Sequence, residues 1–310
     1  MLSERFENTK PITFIIVLMA LLIGDGLYQY EILQIAPFNS PHTTTLIITF
    51  VLFWFSLLLL HQIDRWNELT ETKNCYSIAF FSVFVVLFPS LFQEVKVVVA
   101  NFLIIAALWR VLTLKTGEGI SQKLFDTSLL IVCAGLLHPW ALIFLLNIWI
   151  SLLFYGAKKR RYWFIPLLAI LIIGILLGAT LILFDYVSFL SDYYQKLYTD
   201  IEHLLVFPSY PLPTLVALGC LGLLFVVSLI VYYFKTTYHS ISSLVVIQFL
   251  WVAVIVAIVS KEVLYCFAPI AIIFALYVEK IRIWWLKETV LWLLLSLPAA
   301  LLTLHFITKS

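Results

Sequence analysis

The chain has 310 residues, of which 63% are apolar and only 12% are charged, and its formal net charge is +2. A typical soluble domain carries about a quarter charged residues and about half apolar residues. With a mean hydropathy of +1.07, the chain has too much apolar surface to bury in water. The composition therefore excludes a soluble globular protein and predicts a polytopic membrane protein. We expect membrane lipids as its surroundings and no nucleic-acid partner.

The sequence lacks the common motifs of soluble enzymes. It contains no P-loop, no G-x-S-x-G, no H-E-x-x-H and no dinucleotide-binding fingerprint. The four cysteines have no C-x-x-C spacing and the six histidines have no ligand spacing, so we expect no metal site and no cofactor. Any substrate would reach the protein in or through the lipid.

Apolar runs recur along the whole chain, and a helix needs about 20 such residues to cross a bilayer. They predict an all-α polytopic transmembrane helix bundle with about eleven spans, in the range 10–12, forming one integral membrane domain over residues 1–310. The predicted spans cover residues 12–30, 44–62, 76–93, 95–113, 124–138, 140–157, 162–184, 213–234, 241–259, 263–279 and 288–307.

The distribution of lysine and arginine sets the predicted orientation. With the N-terminus inside, 15 of the 19 cations fall in cytoplasmic turns. The other face carries only Lys96, Lys196, Lys261 and Lys309. A bias of this size is what the positive-inside rule predicts for a correct orientation, so we expect a multi-pass membrane protein with a cytoplasmic N-terminus.

The first outer loop contains two carboxylates, Asp25 and Glu31, in the segment GDGLYQYEILQ. Paired acids near an outer surface can bind a divalent cation or act as a general base. The alternative interpretation is that Asp25 ends the first span and that both side chains are solvated.

A basic turn with two glycines joins the fourth and fifth spans. Arg110 ends one span, while Lys123 and Asp126 begin the next. An ionisable group at that depth is costly unless it is paired, so we expect Asp126 to form a structural ion pair with Arg110 or Lys123.

His138 and Pro139 break the apolar stretch 124–157, which forms either two spans or a re-entrant hairpin. A histidine at a helix break can shuttle protons or bind an anion. Alternatively, His138 caps backbone carbonyls that the proline leaves without a donor.

Four consecutive cations, Lys158, Lys159, Arg160 and Arg161, end this hairpin. Marking the cytoplasmic end of the hairpin is a sufficient reason for these cations. They would also attract anionic lipid headgroups at the inner leaflet, with about 1 kcal/mol for each cation.

Segment 184–212 is outer and is not a span. Its apolar residues recur at helical spacing and predict an interfacial amphipathic helix near 186–206. The helix either covers the bundle or acts as a lid over a lipid-facing cavity. The apolar positions are Val187, Leu190, Tyr194, Leu197, Ile201 and Leu205.

Three stretches resemble a family of polytopic inner-membrane proteins of Bacteroidota that has no assigned activity. The most distinctive match is Lys-Leu-Phe-Asp, residues 123–126, with the aromatic and proline break downstream. The stretches are RFENTKPITFIIVLMALL, RVLTLKTGEGISQKLFDTSLLIVCAGLLHPWALIFLL and KKRRYWFIPLLA.

A looser similarity is to C-type, polyprenyl-phosphate-dependent glycosyltransferases, which share the many spans and the basic inner turns. In those enzymes an acid of the first outer loop is catalytic, and the resemblance places that role on Asp25 or Glu31. This chain departs from their pattern, because its first outer loop is short, has no adjacent acidic pair and is joined to no large outer domain.

Functions from different classes stay open. The first is a non-catalytic scaffold or accessory subunit of a membrane assembly in cell-envelope biogenesis, with other membrane subunits as partners. The second is an enzyme acting on a polyprenyl-linked glycan at the outer leaflet, which would use a divalent cation and helix 186–206 as a lid. A transporter is the third.

Overall fold

The computed structural model is built almost entirely of helices. Of the residues that it describes, 90% are helical and none forms a strand. An all-α architecture therefore holds for this part of the chain. The described residues are 40–67, 69, 74–155, 159–186, 188–202, 241–281 and 283–309, with 17, 19, 219, 222 and 226 as single positions.

Ten α-helices and three 3-10 helices are described, and the α-helices are numbered here in chain order. Short 3-10 helices cover Pro89–Gln93, Thr113–Thr116 and Pro139–Phe144. The α-helices are α1 (Ser40–Asn67), α2 (Tyr76–Leu87), α3 (Val95–Leu112), α4 (Ile120–Leu137), α5 (Leu145–Phe154), α6 (Arg161–Leu183), α7 (Ser188–Glu202), α8 (Ile241–Ser260), α9 (Leu264–Glu279) and α10 (Trp284–Lys309).

Five of the described helices are long and apolar enough to cross a membrane. The predicted spans 44–62, 95–113, 162–184 and 241–259 each correspond to one of them. The five candidate spans are Thr44–Asn67, Val95–Thr116, Ile120–Leu137, Arg161–Leu183 and Ile241–Ser260.

The predicted span 76–93 is not one continuous helix. Helix α2 ends at Leu87, and a 3-10 helix starts at Pro89. Proline has no N–H to donate and pushes the residue before it out of the helical region. Phe88 accordingly has φ −124° and ψ 69°, and its N–H bonds the Val85 carbonyl, which cannot receive a hydrogen bond from Pro89.

A second proline break divides 124–157. Helix α4 begins at Ile120, four residues before the predicted start, and ends at Leu137. The apolar stretch Pro139–Phe154 that follows is shorter than the roughly 20 residues that a full crossing requires. The choice between two spans and a re-entrant hairpin therefore stays open.

The remaining predicted elements differ in how far the structure describes them. Predicted span 263–279 corresponds to α9, predicted span 288–307 lies within α10, and the predicted amphipathic helix 186–206 corresponds to α7. Predicted spans 12–30 and 213–234 lie outside the described residues, apart from isolated positions.

The chain divides into two compact units. The first comprises Met1–Val98, Ser209–His239 and Phe267–Ser310. The second comprises Val99–Pro208 and Ser240–Cys266. The prediction of a single membrane domain stays a prediction.

Aromatic rings form the core of the first unit. Phe80 packs edge-on against Phe274 with 4.9 Å between ring centroids. Phe84 and Phe88 both contact Phe267, at 5.9 and 5.5 Å. These side chains are buried, and such pairs add about 1 kcal/mol each beyond the area that they bury.

The second unit contains the candidate site, and it is built on two helix pairs. Helix α4 packs along α6, and α5 packs along α8. Just before α5, the Phe144 ring lies 5.9 Å from that of Phe249 on α8 and 5.8 Å from that of Tyr265 on α9. The first pair brings the basic turn after α3 close to the start of α6.

Candidate functional site

An ion pair joins the end of α3 to the first turns of α4. Arg110 Nη2 donates to Asp126 Oδ2 at 2.7 Å, with the two side chains 35% and 30% exposed. The structure thus pairs Asp126 with Arg110 rather than with Lys123. Because both groups are partly solvated, the pair contributes only about 0.5 to 1 kcal/mol.

Lys123 instead closes the turn between α3 and α4. Its Nζ donates to the Thr113 carbonyl at 2.9 Å and to Thr116 Oγ1 at 2.6 Å. Gly117 and Gly119 have φ of 70° and 58°, a left-handed conformation that glycine adopts without strain. Hydrogen bonds and glycines together fix the conformation of this turn.

The second cationic segment starts α6. Lys159, Arg160 and Arg161 are exposed, and the Arg161 guanidinium lies 5.3 Å from the Tyr162 ring centroid. The Tyr162 hydroxyl lies against Ser121 at the start of α4, so the two basic segments meet. Lys158 lies outside the described residues.

The meeting of these segments forms what we call the cationic end: Lys123, Lys159, Arg160 and Arg161. Its nearby acid, Asp126, is already engaged by Arg110. Lys159, Arg160 and Arg161 are exposed at this end, whereas Lys123 is held by Thr113 and Thr116.

His138 occupies the break between α4 and the following 3-10 helix. It is buried, its backbone is extended at φ −137° and ψ 104°, and its ring lies 5.5 Å from that of Tyr265. Its N–H bonds the Ala134 carbonyl at 2.9 Å. His138 thus belongs to an aromatic packing cluster.

The carbonyl that Pro139 leaves without a helical donor belongs to Gly135. An α-helical carbonyl accepts from the residue four positions later, which here is a proline. The Tyr193 hydroxyl, from α7, donates to the Gly135 carbonyl at 2.8 Å. Burial raises the pKa of Tyr193 to about 12, so its proton remains available for this bond.

Helix α7 has two different faces. Phe189, Tyr193 and Leu197 are partly buried against the second unit. The opposite face is exposed and carries Leu190, Tyr194 and Tyr198, and Tyr186, just before the helix, continues the same four-residue spacing. An exposed aromatic stripe beside a candidate span is typical of a helix at a membrane interface.

A buried polar cluster between α5 and α8 was missed by the sequence interpretation. Gln248 Nε2 donates to Asn147 Oδ1 at 3.0 Å and to the Asn147 carbonyl at 2.7 Å. Ser151 Oγ donates to Gln248 Oε1 at 3.3 Å. The sequence did contain a signal for this cluster, because Asn147 and Ser151 are polar residues four positions apart on an otherwise apolar helix.

A pair of glycines on α6 was missed as well. Gly174 and Gly178 form a G-x-x-x-G motif, and a Cβ added at either position would meet no atom within 4 Å. Leu171, Ile175 and Ile182 flank the glycines and are exposed. The G-x-x-x-G spacing was visible in the sequence, but the open space over the two glycines could be seen only in the structure.

The carboxylates Asp25 and Glu31 of the first outer loop lie outside the described residues. The enzymatic role expected from them therefore stays a prediction. Within the described part of the chain, no group of three or more histidine, cysteine, aspartate or glutamate residues is arranged to hold a metal ion.

Comparison with known proteins identifies no relative: no family model, no curated protein and no solved structure matches this chain.

Proposed function

We propose that the protein is a multi-pass inner-membrane protein of cell-envelope biogenesis, acting as a non-catalytic scaffold or accessory subunit of a membrane assembly. The proposal includes about eleven spans and a cytoplasmic N-terminus. Five described helices have the length and hydropathy of membrane spans. These properties support the membrane part of the proposal.

The cationic end supports the orientation. Lys123 and Arg161 lie near the starts of α4 and α6, and the Tyr162–Ser121 contact joins these starts. Several cations at one end of two candidate spans favour the cytoplasmic side, where anionic lipids also attract them.

The observation that carries the scaffold function is the outer surface of α6. It is the least buried of the five candidate spans in the described part. On one face, Gly174 and Gly178 leave an open groove between Leu171 and Ile175. Small residues at this spacing let a second membrane helix approach closely, which is the main source of helix association in lipid. We therefore propose that a transmembrane helix of another envelope protein packs here.

The polar cluster of the second unit is consistent with a structural role. Asn147, Ser151 and Gln248 hydrogen-bond one another between two helices. Such bonds hold membrane helices together at about 0.6 kcal/mol each on average. In this interpretation the cluster holds α5 and α8 together and does not act on a substrate.

The experiment is a purification in mild detergent from the native membrane. The wild-type chain should bring down a stoichiometric partner, and the double substitution Gly174→Leu with Gly178→Leu should reduce its recovery about tenfold, which corresponds to about 1.4 kcal/mol. Both substitutions favour the helix by close to 1 kcal/mol, so lost recovery would not reflect unfolding.

The matched control adds bulk at the same spacing on another exposed face, with Ile172→Phe and Leu176→Phe. The partner should be retained in that variant. Equal recovery from the glycine variant would contradict the proposed groove. Recovery of the chain alone, with loss of envelope glycan in Asp25→Asn or Glu31→Gln, would instead favour the enzyme.

A further inference from the structure

The first unit contains a carboxyl group buried in its interior. Asp64 lies in the last turns of α1 and is 3% exposed. The Ser77 hydroxyl, from the first turn of α2, donates to Asp64 Oδ2. Asp64 Oδ1 is buried and has no hydrogen-bond partner among the described residues. One oxygen of this carboxyl group is therefore left unsatisfied.

The charges around Asp64 do not neutralise it. No lysine, arginine or histidine nitrogen of the described residues lies within the 4.0 Å ion-pair distance of its carboxylate. Glu279, at the end of α9, is close enough to act on Asp64 electrostatically, and its sign is unfavourable. The ionisable side chains of the elements in this region are His61 and Arg65 on α1, Cys75 and Tyr76 at the start of α2, Glu279 on α9, and Lys287 on α10.

Lys287 is a buried lysine of this region, but its ammonium group lies over an aromatic ring and not against Asp64. Its Nζ lies 5.2 Å from the centroid of the Tyr76 ring, in a cation–π arrangement. Arg65 lies on α1 itself and is exposed. Neither side chain forms an ion pair with Asp64.

A buried carboxylate without a cation is costly. The penalty for taking one such charge out of water is several kcal/mol, whereas a hydrogen bond to a charged group returns only about 1.5 to 3 kcal/mol. A single bond from Ser77 therefore does not offset the burial of a full negative charge. The group must be neutralised from outside the described structure.

We propose that Asp64 is a binding site for a small cation taken from solution, either a proton or a sodium ion. A proton would add to the unsatisfied Oδ1 and leave a neutral carboxyl bonded to Ser77. A sodium ion would take Asp64 oxygens and Ser77 Oγ as hard oxygen ligands. Ionisable groups in apolar membrane helices commonly mark such ion or proton sites. This inference goes beyond the scaffold function and does not depend on it.

The test labels the purified full-length chain with dicyclohexylcarbodiimide, an apolar reagent that modifies protonated carboxyl groups in apolar surroundings. The peptide containing Asp64 is then quantified by mass spectrometry from about pH 5 to about pH 9. We expect labelling at low pH that falls about tenfold per pH unit above its midpoint. Glu118→Gln, which removes an exposed acid, should leave this profile unchanged.

Salt distinguishes the two cations. If sodium chloride lowers the labelling of Asp64 at fixed pH and choline chloride does not, the ion is sodium. If neither salt has an effect and pH alone controls labelling, the ion is the proton. Absence of Asp64 labelling at every pH would mean that a cation of the chain neutralises the group, and would overturn the proposal. Labelling independent of both pH and salt would mean that the carboxyl keeps one proton throughout and exchanges no cation with solution, and would overturn the proposal too.

Thermal unfolding gives a second measurement. Asparagine is a neutral group of the same shape, so Asp64→Asn should fold and should lose the pH or sodium dependence of Tm that the wild type shows. Identical dependence in the two proteins would contradict the proposal. If the variant does not fold, the labelling of the wild type still decides.

Discussion

At the scale of single residues, three polar contacts join different elements of the described helices. Asp126 is held by Arg110, the Gly135 carbonyl by Tyr193, and Gln248 by Asn147. An unpaired polar group in an apolar interior costs about 1 to 3 kcal/mol, so each pair removes a penalty as much as it adds an attraction. Not every buried polar atom of the described residues has a hydrogen-bond partner, and Asp64 Oδ1 is the carboxylate oxygen among those without one.

The Arg110–Asp126 pair can be tested directly. We expect Asp126→Asn to lower the free energy of unfolding by about 0.5 to 1 kcal/mol, because solvent screens a pair that is one-third exposed. Thermal unfolding in detergent, with Arg110→Met and the double variant, would isolate the coupling between the two side chains. Unchanged stability in Asp126→Asn would mean that the bridge does not hold the turn.

At the scale of elements, prolines decide where the helices stop. Pro89 and Pro139 each end a helix that apolar periodicity alone would continue. After the second break, the 3-10 helix lies so close to α4 that a Cβ at Gly135 would stand 2.4 Å from Leu142 Cδ2. Gly135 therefore permits the close approach that this break requires.

Substitution of Gly135 separates close packing from helix propensity. We expect Gly135→Ala to destabilise the protein by about 1 to 3 kcal/mol, since the Leu142 side chain must shift. Gly174→Ala, in a helix with open space over the glycine, should instead stabilise by up to about 1 kcal/mol. Thermal unfolding of both variants checks the contrast, and equal effects would refute the close approach.

Much of the architecture was predictable from the sequence because apolar runs of span length are a strong signal. The helices over 95–113, 162–184 and 241–259 follow from it, and the proline at 139 indicated the break there. The proline at 89 was as visible, but the apolar residues on both sides of it outweighed it in the interpretation. The predicted helix bounds were therefore least accurate where a proline interrupts an apolar run.

The candidate site was predictable only in part, because pairing depends on which helix faces which. The spacing of Arg110, Lys123 and Asp126 indicated an ion pair but left two partners open. The hydroxyl of Tyr193 comes from a segment 58 positions away from Gly135, and Gln248 lies 101 positions from Asn147. Periodicity carries no information about such distant partners. Asp64 was overlooked because it follows an apolar run among polar residues that resemble a solvated turn.

At the scale of the whole molecule, the account depends on the direction in which the chain crosses the membrane. The proposed orientation puts the cationic end and the tyrosine stripe of α7 on opposite sides of the membrane, and so predicts opposite sides for Arg160 and Asp192. If that assignment fails, the cytoplasmic cationic end and the outer interfacial helix fail with it. The scaffold proposal would then lose its orientation, although the helix packing would remain.

The most direct test places single cysteines at these two exposed positions, Arg160→Cys and Asp192→Cys, in a chain whose four native cysteines are replaced. A membrane-impermeant maleimide is applied to cells whose outer membrane has been permeabilised. We expect it to label Asp192→Cys, and to label Arg160→Cys only after the inner membrane is opened. Labelling of Arg160→Cys in cells with a sealed inner membrane would contradict the account.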